Sequence, residues 1–220
     1  MKKYFDILKK CYLFEGISCE NLIPMLTCLN AHVEEFKKNE TILSEGMSVK
    51  SLGIILSGSA QITRIDYHGN KSIVTSIEPS EIFGESFAFA GITSIPVDVI
   101  AVEKTEIMLI DCVRIIHPCS NACEFHSTII FNLIKTIAMK NILYNQKLEI
   151  TSKRTTREKL MTYLYLQARK NNSRTFTIPF DRQALADYLE ADRSGLSTEI
   201  GKLRKEGIIE CKKSHFKLLK

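Results

Sequence analysis

The segment DRSGLSTEIGKLRK, residues 192–205, concentrates side chains suited to reading a polyanion. Arg193, Ser194, Gly195, Ser197, Thr198 and Lys202 combine a guanidinium, three short hydroxyls, a residue without a side chain and an ammonium. A guanidinium matches guanine O6 and N7 through two parallel hydrogen bonds, and short hydroxyls reach bases or phosphate oxygens. Leu196, Ile200 and Leu203 recur at helical spacing on the other side, so the polar set faces outward from a packed helix that Gly207 ends. Just upstream, Asp181 is a good N-cap for a shorter helix burying Leu185, Tyr188 and Leu189, and Ala186 is small enough to let the second helix approach. Asp192 caps that second helix. Two helices joined at Glu190-Ala191 form a helix-turn-helix, which places the first half of its second helix against base edges in the major groove. The turn carries Glu190 where glycine is common, so it must tolerate an awkward backbone angle or take another form. GIIECKKSHFKLL then reads as a two-stranded wing with Lys212 and Lys213 near phosphate. The competing reading is a helical hairpin that merely packs.

Charge supports the first reading. Residues 1–150 hold 14 Lys or Arg against 17 Asp or Glu, a balance of −3, whereas residues 151–220 hold 16 against 8, a balance of +8. The basic excess in the last third suits a polyanion partner, double-stranded DNA above all. Enzyme signatures such as GxxxxGK, HExxH and GxSxG are missing, so no catalytic residue is assigned. No apolar run approaches membrane-spanning length, and MKKYFDILKKCYLFEGIS lacks the uninterrupted apolar core of a secretory signal. A cytoplasmic protein without membrane association is expected. Seven cysteines, at 11, 19, 28, 112, 119, 123 and 211, show no close CxxC pair, which favours free thiols over a disulfide framework.

The elements that position the reader are legible upstream. From Glu40 to about Ile110, short Ile- and Val-rich runs such as GIILSGSAQITRI, KSIVTSI and VDVIAV are divided by Gly46, Gly58, DYHGN and EPSE, which predicts a barrel or sandwich. His68-Gly69-Asn70 supplies a tight turn. Residues 3–30 read as helical, with Leu22, Ile23, Leu26 and Leu29 at helical spacing. Residues 120–150 contain no Gly or Pro; Ile130, Ile134, Ile137, Asn141, Tyr144 and Leu148 recur at alternating steps of four and three, a seam for a parallel two-helix coiled coil, with Asn141 fixing its register. An amphipathic core helix is the alternative. REKLMTYLYLQARK then forms a helix leading to a strand-like FTIPF. Within the β region, EIFGESFAFAGITSIPVDVIA departs from strand patterning: Gly84-Glu85 followed by a small-residue helical turn would aim backbone N–H groups into a cavity, an anion site.

This order of elements, with GMSVKSLGIILSGSAQI, the FGE cassette, the long helix and the terminal helix-turn-helix, resembles the Crp/Fnr superfamily of bacterial transcription regulators over nearly the whole chain. The resemblance implies an α+β fold: an effector-sensing β-roll with amino-terminal helices over 1–118, a dimerisation helix over 119–150, and a winged helix-turn-helix over 151–220. It implies a homodimer that binds DNA, with RNA polymerase as a further partner and an unknown small-molecule effector at Gly84, Glu85, Ser86, Ile95 and Pro96. In cyclic-AMP-binding members the Glu of FGE takes the ribose hydroxyl, and an Arg-Ser pair about ten residues later clamps the phosphate. Glu85 matches, but Ile95 and Pro96 stand at the clamp, so a cyclic nucleotide is not expected and Glu85 stays open between ribose ligand and structural carboxylate. Thr198 stands where cyclic-AMP-responsive relatives carry Arg, so their target sequence does not transfer. No cofactor is predicted. The alternative on the same scaffold is a redox or metal sensor: an iron-sulfur cluster on Cys11, Cys19, Cys28 and Cys112, whose number suits a cluster although the spacing does not, or thiol chemistry at Cys119 and Cys123. Haem ligation by a histidine is a remoter option.

Overall fold

A computed structural model describes residues 2–65, 67, 71–117 and 124–219; the turn His68-Gly69-Asn70 and Cys119 and Cys123 lie outside the described residues. The chain divides into two compact units, Met1–Ala138 and Met139–Lys220, with the division inside one long helix.

In the first unit, helices α1 (Phe5–Leu8) and α2 (Cys19–Cys28) precede strands β1 (His32–Phe36), β2 (Thr41–Leu43), β3 (Ser51–Ser57), β4 (Ala60–Ile65), β5 (Lys71–Ile77) and β6 (Ile82–Phe83). Helix α3 (Glu85–Ala90), strands β7 (Asp98–Ala101) and β8 (Thr105–Asp111), and helix α4 (Cys112–Ile116) follow, and α5 (Glu124–Thr151) leads out. The expected helicity of residues 3–30 is broken: Gly16, at φ +80°, turns the chain between the first helical turns and α2. The strands form two antiparallel four-stranded sheets, ordered β1-β8-β3-β6 and β2-β7-β4-β5.

Strand β3 shows why the Gly53-Ile54-Ile55-Leu56 run does not alternate with polar residues. Leu52, Ile54 and Leu56 enter a cluster with Leu8, Leu26 and Leu29 from the amino-terminal helices, while Ile55 joins Phe83, Val99 and Ile107 in a second cluster. Both faces of the strand are covered, so both must be apolar. At Gly53 an added Cβ would come within 2.2 Å of the Phe83 ring, so the pairing of β3 with β6 requires glycine there.

In the second unit, α6 (Thr156–Lys170) starts at a capping box, in which Thr155 and Glu158 each satisfy the other's backbone N–H. Strand β9 (Thr175–Thr177), helices α7 (Arg182–Tyr188) and α8 (Arg193–Lys205), and strands β10 (Ile209–Lys212) and β11 (His215–Leu218) complete it. Strand β9 stops before Pro179, which has no N–H to donate to a ladder, and joins the wing as a third strand in the order β10-β11-β9. Leu160, Leu164, Leu185, Leu196, Leu203 and Phe216 belong to the core that α6, α7, α8 and the sheet share.

Candidate nucleic-acid interface

The caps predicted for α7 and α8 form. Asp181 accepts from the Ala184 N–H at 2.8 Å and Asp192 from the Gly195 N–H at 2.7 Å. The Ser194 hydroxyl also donates to the Asp192 carboxylate, and these two donors hold that carboxyl below its ordinary range. Between the helices, Glu190 adopts φ +50° and so ends α7 as a glycine would. The Ala191 N–H reaches Ala186 O at 3.0 Å and the Glu190 N–H reaches Asp187 O at 3.1 Å, the same pair of closing bonds that Gly207 permits after α8. A left-handed non-glycine residue costs about 1–2 kcal/mol. Lys159 Nζ, donating to Glu190 O at 3.1 Å, and Lys147 Nζ, 4.0 Å from the Glu190 carboxylate, help to hold the turn.

Helix α8 buries Leu196, Ile200 and Leu203 and leaves Arg193, Ser194, Ser197, Thr198 and Lys202 exposed, with Gly195 half-buried. The Thr198 hydroxyl donates to Ser194 O at 3.0 Å, so toward a ligand it offers its oxygen as an acceptor. Lys202 Nζ lies 2.6 Å from Glu199 Oε1. A groove brings the start of α6, at Thr155, Thr156 and Arg157, beside Ser194, Gly195 and Thr198, with Glu199 and Lys202 on the same wall. The Arg157 guanidinium makes two hydrogen bonds to the Glu206 carboxylate, which raises its pKa. Residues 155–157 and Glu199 were missed in the sequence, although the TxxE signature at Thr155 and Glu158 marks the helix start. On the other flank, Lys212 and Lys213 are exposed at the wing turn, where Lys213 has φ +54°, and Lys212 shares a shallow groove with Arg204, His215 and Lys217.

The proposed seam lies on α5. Ile134, Ile137, Tyr144 and Leu148 expose 61%, 37%, 64% and 65% of their surface in the single chain, and Asn141 is also exposed, accepting from Asn145 Nδ2 at 2.7 Å. Ile130 is partly buried against the core of its own unit. The exposed apolar surface is wider than the seam, since Phe131, Ile142 and Leu143 are exposed too.

In the FGE cassette, Gly84 takes φ +78° as the N-cap of the six-residue α3, and Glu85 is 3% exposed with its carboxylate accepting from the Ser86 hydroxyl at 3.3 Å. Leu43 and Val49 lie within 4 Å of the position a Cβ on Gly84 would take. Ile95 is fully buried and bonded through its backbone to Gly46 and Met47, while Ser86 and Pro96 are exposed. Cys11 and Cys112 are buried in apolar core, and burial pushes the Cys112 thiol up to about 12, which disfavours the thiolate that metal binding or exchange requires. Among the described residues, no group of three or more His, Cys, Asp or Glu side chains could hold a metal ion, and no helix is long and apolar enough to cross a membrane.

A two-sheet roll, a long helix and a capped winged helix-turn-helix with a polar outward face define a DNA-binding transcription regulator. Residues 33–115 match the cyclic nucleotide-binding domain and residues 158–220 the Crp-like helix-turn-helix domain, and the chain belongs to the Crp/Fnr superfamily. Among solved structures it is similar to CprK complexed with OCPA (TM-score 0.65, 14% identity, 91% of this chain and 92% of that one). It is also similar to the Thermus thermophilus Catabolite Activator Protein (0.55, 19% identity, 94% and 93%). The sensor domain of the regulator DNR from Pseudomonas aeruginosa matches over 63% of this chain and 89% of its own (0.52, 15% identity). At such identities the likeness is one of fold. A curated relative, the potassium channel KAT1 of Oryza sativa subsp. japonica, is 25% identical over 140 residues, 64% of this chain, which spans only 19% of the channel's length.

Proposed function

We propose that the protein is a homodimeric transcription regulator in which residues 1–118 sense a small effector, 119–150 dimerise and 151–220 read DNA. The observation that carries the reading is the two-faced α8: Leu196, Ile200 and Leu203 buried, and Arg193, Ser194, Ser197 and Thr198 exposed at the helix start, in a unit whose wing exposes Lys212 and Lys213. That arrangement supplies one guanidinium for a bidentate base contact, hydroxyls for bases or phosphates, and ammonium groups for the backbone. The exposed stripe of α5 supports dimerisation, and two reading heads would recognise two half-sites related by the dimer axis. The effector is a small molecule other than a cyclic nucleotide, because the buried Ile95 occupies the place of the phosphate clamp. RNA polymerase is the partner through which such a protein would act in the cytoplasm. Selecting fragments from a random DNA pool tests the reading: recovery of a two-fold symmetric site supports it, and enrichment of no sequence refutes it.

A further inference from the structure

The two flanks of α8 differ in charge. On the wing flank, Arg204, Lys212 and Lys217 meet one carboxylate, Glu210, which lies 3.4 Å from Lys217. On the α6 flank, Arg157 and Lys202 meet three: Glu206 on Arg157, Asp192 at the cap, and Glu199 on Lys202. So the groove beside the reading helix carries no surplus of positive charge, although its domain is strongly basic. Glu199 is the more sheltered member of its pair, with 19% of its side chain exposed against 57% for Lys202. The cap explains Asp192 and the bidentate bond explains Glu206. Glu199 caps nothing, and an i,i+3 pair at a surface adds little stability.

We propose that Glu199 limits sequence-independent affinity by withholding charge: it neutralises Lys202 beside the reading helix, so the α6 flank gains nothing from phosphates and binding leans on the contacts of α8 and the wing. This rests on the DNA-reading function proposed above. Sequence-independent affinity comes from cations that displace counterions, and each phosphate contact changes the slope of log affinity against log salt by about 0.9. A carboxylate beside one such cation lowers affinity for every sequence, while the base contacts to the correct site are kept. Specific and nonspecific affinity therefore fall together, and the hold on DNA becomes weaker and less salt-dependent at an unchanged ratio.

The test is a cycle of Glu199→Gln, Lys202→Gln and the double variant, measured on random duplex DNA and on the selected site across a salt series. Glu199→Gln, which keeps size and shape, should strengthen random-DNA binding by roughly three- to tenfold at moderate salt and steepen the slope by about 0.9, as one freed phosphate contact requires. Lys202→Gln alone should change little, and in the Glu199→Gln background it should abolish the gain. The inference is overturned if Glu199→Gln leaves random-DNA binding and its slope unchanged, or weakens only the selected site, which would make Glu199 a base reader accepting from cytosine N4. It is equally overturned if Lys202→Gln alone flattens the slope as a wing-lysine variant does, or if affinity falls on all DNA together with the melting temperature. Wild-type protein that binds no DNA would instead remove the DNA-reading function itself, and this inference with it.

Discussion

Replacing Ile134 by Glu on α5 should convert the protein to monomers. In the single chain Ile134 keeps 61% of its surface exposed, so a partner helix can remove most of it from water. Full burial of an aliphatic side chain contributes about 1.5–3 kcal/mol, which at this exposure gives about 1–2 kcal/mol per copy and about 2–4 kcal/mol per symmetric dimer. At about 1.4 kcal/mol per factor of ten, the dimer dissociation constant should rise roughly 30- to 700-fold from lost burial alone. Placing two carboxylates opposite one another in an apolar seam adds to that. Since the side chain is exposed, each chain should still fold, and the melting temperature of isolated protomers should stay close to the wild type's. Met139→Glu is the control: it is 46% exposed on the same helix but two residues from Ile137 and five from Tyr144, off the seam. Sedimentation equilibrium reads both. An Ile134→Glu, Ile137→Glu double variant that remains dimeric would refute the seam, and a Met139→Glu variant that dissociates as readily would show that the interface uses a different face.

Arg193→Ala should weaken binding to the selected site by roughly 10- to 100-fold and random DNA little, whereas Lys212→Ala or Lys213→Ala should weaken both and flatten the salt slope by about one unit. Equal loss on every sequence from Arg193→Ala would make Arg193 a backbone anchor. Cyclic AMP and cyclic GMP should give no micromolar binding by calorimetry, because Ile95 and Pro96 supply no guanidinium; tight binding would require a cation from elsewhere. Asp192→Ala should lower the melting temperature of the carboxyl-terminal unit by removing the acceptor for Gly195 N–H and the Ser194 hydroxyl. The folded pKa of Asp192 is depressed, so its contribution is present above the ordinary aspartate range and is lost as pH falls through the lower folded value. Wild type and Asp192→Ala should therefore converge in stability in strong acid, and a gap that persists there would contradict this.

The reading head was legible in the sequence because its signals are local. Asp181 and Asp192 cap the helices they precede, the 3–4 spacing of Leu196, Ile200 and Leu203 marks the inward face, and Gly207 ends α8. At Glu190 the sequence left open an awkward backbone angle or another form of turn, and its φ of +50° is the first of these. What escaped depends on residues distant in sequence. Thr155, Thr156 and Arg157 reach the groove only because α6 packs on α8, and no window around residue 155 contains that fact. The amino-terminal stretch read as one helix because Leu22, Leu26 and Leu29 dominate its pattern. The left-handed Gly16 and the burial of Leu8, Leu13 and Phe14 in the roll's core broke it into short turns.

Helix α5 is tied differently at its two ends. Toward its start, Ile129 and Leu133 are buried in the core of the first unit, and Asn132 donates to Leu13 O at 3.1 Å and Glu15 O at 2.8 Å. Leaving those carbonyls without a donor would cost about 1–3 kcal/mol each, so this stretch is fixed to the amino-terminal segment that covers the roll. Toward its end, Ile150 is buried in the core of the second unit, and Lys147 stands 4.0 Å from the Glu190 carboxylate and 5.7 Å from the centre of the Tyr188 ring. The last turns of α5 thereby pack in the second unit with Lys147 beside the turn that joins α7 and α8. Between these anchorages Ile137, Asn141 and Tyr144, residues of the proposed seam, are exposed. The helix runs unbroken from Glu124 to Thr151, so one element carries residues of both units. Under the proposed effector sensing, linkage would require that the effector favour one arrangement of the proposed seam, and a difference of about 1–3 kcal/mol between arrangements would change DNA affinity roughly 5- to 150-fold.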